Sequence, residues 1–320
     1  MRRGLWRWAS VLAPAATLAI LVWRLGTGPF IAGVRTVNGG ALAAAAGIAV
    51  LTTVCCAWRW RIVARGLGVE LPLSTAVAAY YRSVFLNVTL PGGIVGDVHR
   101  GVSHGRDTRD VSRALRAVAW ERTAGQAVQI VLTLALLAVL PSPVHSSIGP
   151  AAIVVVVAGL AIALLSRARP SGGRSGLARL RGAAVRDLRH ALLARRAWPA
   201  IVLVSALVVC GHALTFLIAA RSAGVTASPS QMLPIVLLVM AAMVLPSIGG
   251  WGPREGVTAW AFSAAGLGAH QGVSTAVVYG VMVFVASLPG AVVLIAAWFR
   301  GTRLPRRAQR RRLREGAVHA

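Results

Sequence analysis

Two glycine-rich interruptions carry most of the chemistry that this 320-residue chain offers. Residues 90–101 read Leu-Pro-Gly-Gly-Ile-Val-Gly-Asp-Val-His-Arg-Gly, and residues 245–256 read Leu-Pro-Ser-Ile-Gly-Gly-Trp-Gly-Pro-Arg-Glu-Gly. In the first, Gly92, Gly93 and Gly96 leave backbone N–H groups open to approach, and Asp97, His99 and Arg100 follow. That set suits an anion. A helix starting after the break would aim its positive dipole end and free N–H donors at it. Arg100 adds a planar fork matched to phosphate, which Asp97 would orient. The same residues also fit a tight turn in which Asp97 caps the next helix and Arg100 snorkels to the membrane interface. In the second break, Gly249 and Gly250 precede the adjacent pair Arg254 and Glu255. An ionisable pair at membrane depth is costly and marks function by default. A mutually neutralised pair at the membrane surface is the plainer account.

Two polar stripes accompany the breaks. Tyr80, Ser83 and Asn87 share one helical face, with Arg82 lying off it. Arg122, Gln126, Gln129 and Thr133 form a second stripe beside Glu121. It rises about 16 Å, roughly half the hydrocarbon thickness, which would suit a descending headgroup. Hydrogen bonding between helices serves equally well as its purpose. His212 with Thr215 reads as packing. No phosphate-cradling Gly-Lys-Ser/Thr loop, His-Glu-x-x-His or Gly-x-Ser-x-Gly elbow occurs, so no enzyme is expected. No residue set calls for a cofactor or metal, and the three cysteines read as small core hydrophobes.

The elements that must position these residues are membrane helices. Hydrophobic residues make up 57% of the chain, which places it in the polytopic membrane class. Apolar segments at 8–25, 39–58, 117–140, 150–165, 198–220 and 272–299 reach or nearly reach the ~20 residues a span needs. The first resembles a signal peptide but is read as an uncleaved helix, since no clear cleavage site follows it. Two further regions, 73–103 and 232–267, are apolar but broken.

Charge sets the orientation. All 34 basic residues are Arg, giving a formal charge of +26 against 8 acidic residues. Without a nucleic-acid module this points to anionic lipid headgroups and the cytoplasmic face, and not to nucleic acid. The N-terminus, the loop with Arg59, Arg61 and Arg65, and the stretch 100–116 all read as cytoplasmic, so 73–103 enters and leaves on one side. The loop 166–197 and the tail 300–320 are also Arg-rich and cytoplasmic, so 232–267 is re-entrant from outside. The expected fold is therefore an all-α polytopic membrane protein with about six transmembrane helices and two re-entrant helical hairpins in a pseudo-inverted repeat. Its single membrane domain covers 1–299, with halves at about 1–165 and 198–299. Two broken segments at matching places in two halves point to a transporter's binding site.

At these residues the chain resembles the flippase-like integral membrane family, which includes the transmembrane half of lysylphosphatidylglycerol synthases. The matching marks are Trp58-Arg59, Asn87, Pro91-Gly92-Gly93, Gly96-Asp97, Arg100, Glu121-Arg122, Pro246, Gly249-Gly250-Trp251-Gly252, Arg254-Glu255 and Pro289-Gly290. The family often carries an Arg before that last Pro-Gly, where this chain has Tyr279 and Gly280. The resemblance implies movement of a phospholipid or lipid-linked compound across the cytoplasmic membrane and not aminoacylation, with membrane lipids as partners. The expected substrate-binding set is Asn87, Gly92, Gly93, Gly96, Asp97, Arg100, Glu121, Arg122, Gln126, Gly249, Gly250, Arg254 and Glu255. The alternative is a non-transporting membrane subunit that positions a cell-envelope lipid or glycan synthase.

Overall fold

The computed structural model describes residues 19–20, 22–140, 176–243, 245, 247 and 250–317. Every regular element among them is helical. They are α1 (Gly28–Arg35), α2 (Gly39–Gly66), α3 (Leu73–Thr89), α4 (Val95–Asp107) and α5 (Val111–Val139) in the first half. There follow α6 (Gly176–Asp187), a π-helical turn (Leu188–Leu192), α7 (Trp198–Ser222), α8 (Pro229–Ala242), α9 (Pro253–Ala264) and α10 (Ala269–Ala317).

Four helices are long and apolar enough to cross a membrane: Gly39–Gly66, Val111–Val139, Trp198–Ser222 and Ala269–Phe299. They coincide with four of the six expected spans. The other two, 8–25 and 150–165, lie outside the described residues or nearly so, as do residues 166–175 of the basic loop. The two broken regions each form a helix–break–helix unit. Their arms, 17 and 13 residues in α3 and α4 and 14 and 12 in α8 and α9, are all shorter than the ~20 a span requires.

Local chemistry explains the boundaries. Asn38 caps α2 by accepting the Ala41 N–H at 2.8 Å, and Asp110 caps α5 by accepting that of Arg113 at 2.9 Å. Ser228 and Gln231 form a capping box on α8, which also starts on Pro229. After α3, Pro91 removes a donor, and Gly92 and Gly93 take φ of 97° and 67°, a region that favours Gly. Boundaries differ from the sequence reading: α5 starts at Val111 rather than near 117, and α10 runs on past 299. α2 does not stop near Trp58 but runs on to Gly66, so Arg59 lies inside the helix and is buried.

The described helices share two cores of different texture. Around the first break, α2, α3, α5 and α7 pack through Ala57, Ala64, Ala76, Ala79 and Ala117 with Trp60 and Tyr80. Small residues let backbones approach closely, as interfaces between membrane helices require. Around the second break the core is bulkier, with Phe216, Met232, Ile235, Phe262, Tyr279 and Met282. α7 belongs to both, through Val208 on one side and Val209 and Phe216 on the other.

Candidate functional site

The first break closes back on α3 because Gly96 has no side chain. A Cβ there would lie 2.0 Å from the Ser83 carbonyl oxygen. Asn87 then spans the junction, accepting the Gly96 N–H at 2.7 Å and donating to Asp97 Oδ2 at 3.0 Å. Ser83 donates to Asp97 Oδ1 at 3.1 Å. Asp97 is thus not the cap of α4, whose N-cap is Ile94, but the acceptor at the centre of a network. The face of Tyr80, Ser83 and Asn87 is the one turned towards α4, as the spacing implied.

The network extends through five helices. Glu121, fully buried, accepts from Arg59 Nε at 3.0 Å, Arg59 Nη2 at 2.6 Å and Arg100 Nη2 at 2.6 Å. The Tyr80 hydroxyl donates to it at 3.4 Å. Arg59 also donates to Ser205 on α7 at 2.9 Å. Arg100 Nε donates to Asp97 Oδ1 at 3.0 Å, and its guanidinium lies 4.6 Å from the Trp60 ring centre and 4.4 Å from that of Tyr80. Such stacking favours the cation where water is excluded. Gly125 makes room for the Arg59 guanidinium, since a Cβ there would meet it at 2.7 Å. Finally Arg122 pairs with Asp97 Oδ2 while 40% of its side chain remains exposed. Three guanidinium groups face two carboxylates, which leaves one positive charge.

That charge borders a cavity of about 1700 Å³. Sites that enclose a small ligand typically hold about 300–1,000 Å³, so this space is larger and it is open. Asn87, Gly92, Gly93, Asp97, Arg122 and Gln126 line it, together with His99, Gln129 and His212. Leu245 and Ser247 of the second break line it too. The Gly92 N–H donates to the Ser247 carbonyl at 2.9 Å, so the two breaks touch. Gln129 ties α5 to α8 by donating to the Met240 carbonyl at 2.8 Å, whereas the buried Gln126 Oε1 has no hydrogen-bond partner. Thr133, the top of the polar stripe, is buried and does not line the cavity.

The remaining expected residues lie elsewhere. Gly96, Arg100 and Glu121 sit behind the cavity wall, holding it together. The Arg100 fork, expected to meet phosphate, is occupied by Asp97 and Glu121, whereas Arg122 lines the cavity, as do Arg59 and Arg106. Arg254 and Glu255 are buried outside the cavity. Glu255 accepts the Gly252 N–H at 2.6 Å and bonds Arg254, whose Nε lies at 2.8 Å. The Arg254 guanidinium lies 5.2 Å from the Trp251 ring centre and 5.4 Å from that of Tyr279, and Gly280 leaves its seat, since a Cβ there would meet it at 2.5 Å. Gly250 has φ 81° with open space around it, and Gly249 lies outside the described residues.

Sequence reasoning missed the inward roles of Arg59, Ser205 and Trp60. The signal for Arg59 was present in Gly125, four residues after Glu121, but a glycine beside an acidic residue does not announce which cation it admits.

Four helices long and apolar enough to cross a membrane, three of which line a charged, open cavity, define a multi-pass membrane protein. More particularly, the chain belongs to the family of the lysylphosphatidylglycerol synthase transmembrane region, whose model matches residues 7–290. No curated protein matches it.

Proposed function

We propose that this protein moves a phospholipid or lipid-linked compound between the leaflets of the cytoplasmic membrane, with the 1700 Å³ cavity receiving the headgroup. The observation that carries this reading is the partly exposed Arg122 guanidinium at the cavity, at the edge of a network of three guanidinium groups and two carboxylates with one excess positive charge. A charge at membrane depth is expensive and is retained where it serves a pathway. An anionic headgroup would complete the balance, and the open, partly apolar lining would leave acyl chains outside. Family membership supports a membrane lipid role of this kind.

In this reading the α3–α4 and α8–α9 units are re-entrant hairpins that complete a six-span bundle as a pseudo-inverted repeat. Both termini and the Arg-rich loop and tail are cytoplasmic by the positive-inside rule. Non-helical backbone at that depth is tolerated because it lines a cavity. Translocation is a binding process and needs no catalytic residue.

The test is movement of headgroup-labelled lipids in vesicles reconstituted with purified protein, comparing several headgroup classes. Movement should exceed that in empty vesicles and fall at least tenfold in Arg122→Gln, with insertion unchanged. Movement at the wild-type rate in that variant, or none for any headgroup with well-inserted protein, would overturn the reading.

A further inference from the structure

A second polar cavity, of about 340 Å³, lies between the end of α2, the first turns of α5 and the α6 segment that leads towards α7. Its wall carries Arg113, Arg116, Arg186 and His190, with Asp187 among them. None of these residues lines the large cavity. Asp187 is held by Arg116 Nε at 3.1 Å and by the Trp120 indole N–H at 3.3 Å, and Arg113 Nε lies 3.1 Å from Asp110 Oδ2. Three guanidinium groups thus stand against two carboxylates, again leaving one positive charge. The Arg113 and Arg116 side chains remain 44% and 42% exposed, and Arg186 is exposed too, so donors remain accessible to a ligand.

The pocket is shaped by close packing. A Cβ on Gly66 would lie 2.4 Å from the Ala191 Cα, so the last turn of α2 locks against the π-helical turn Leu188–Leu192. π-Helical turns are rare and recur at functional sites. Here the turn places His190 next to Arg186, with Nδ1 at 2.8 Å from the Arg186 carbonyl. The docking fixes the segment that joins the two halves of the chain against the helix ends that flank the first break.

We propose that this pocket binds a phosphate group, carried either on an anionic lipid at the Arg-rich membrane surface or on a soluble phosphate compound. Planar guanidinium forks match phosphate oxygens in pairs, and an ion at that site neutralises the excess charge. A bound phosphate would pin the connecting segment to α2 and α5. This site is independent of the lipid path and stands whether or not the large cavity moves a lipid.

The experiment uses the full chain in nanodiscs, with two probes. Phosphatidylglycerol retained on the protein is counted by native mass spectrometry, and inorganic phosphate is titrated into phosphatidylcholine discs by calorimetry. The double variant Arg113→Gln with Arg186→Gln should weaken one of the two by roughly tenfold or more, the loss of two charge-assisted contacts. Arg113→Lys with Arg186→Lys should retain most of the binding, and an unchanged unfolding temperature shows that the fold survives. Loss of phosphatidylglycerol alone identifies a lipid site, and loss of inorganic phosphate identifies a soluble ligand. Equal retention of both probes in wild type and the folded glutamine variant would overturn the proposal.

Discussion

The two breaks share a sequence pattern but not a chemistry. At the first, Asp97 and Glu121 gather Arg59, Arg100 and Arg122 from three helices, and Arg59 and the half-exposed Arg122 border an open cavity. At the second, a single Arg254–Glu255 pair on one helix is sealed beneath Trp251 and Tyr279. The surroundings follow suit. Alanine makes up five of the twelve buried core residues around the first and five of the seventeen around the second, where Phe216, Met232, Ile235 and Phe262 add bulk. Similar motifs in the two halves thus sit in different surroundings, and in the proposed reading the unbalanced charge makes the first the working face.

The largest effect should come from Glu121. It holds guanidinium groups from two different helices, so Glu121→Gln leaves two buried cations under-compensated and should cost about 3–5 kcal/mol. Glu255→Gln frees only Arg254, which keeps its aromatic neighbours, and should cost clearly less. Thermal unfolding in detergent compares the two, and equal losses would remove the distinction. Next, Gly96→Ala sets a Cβ against the Ser83 carbonyl and should cost about 1–3 kcal/mol with loss of the Asn87 clamp. Gly250→Ala meets nothing and should cost about 1 kcal/mol, from its left-handed backbone alone. Gly125→Ala and Gly280→Ala each push the tip of an arginine, so chemical denaturation should show losses smaller than that of Gly96→Ala. The smallest stability change belongs to Arg122→Gln, at about 0–1 kcal/mol, because its side chain is partly solvated. Lipid movement should nonetheless fall at least tenfold in that variant.

Much of this was legible in the sequence for physical reasons. Pro and Gly must end helices, so both breaks and their short flanking arms could be placed from Leu90-Pro91 and from Gly252-Pro253. The i, i+3, i+7 spacing of Tyr80, Ser83 and Asn87 put them on one face, where they now meet Asp97 and Glu121. Pairing across the bundle was not legible. Arg59 looked like part of a cytoplasmic cluster because positive-inside counting weighs sequence position, not burial. Arg100 reads from the sequence as the phosphate fork and Arg122 as part of a polar stripe, but Trp60 and Tyr80 enclose the Arg100 guanidinium. The Arg254 seat at Tyr279 and Gly280 lies some 25 residues downstream on another helix, a separation no local pattern bridges.

The most direct measurement places a photoreactive group at Gln126, on the wall of the first cavity, and another at Trp251, beside the sealed pair, and exposes both proteins to radiolabelled phospholipid in vesicles. The account predicts that lipid headgroups are captured at position 126, that Arg122→Gln abolishes this capture, and that position 251 captures far less. Equal capture at the two positions, or capture at 126 that persists without Arg122, would contradict it.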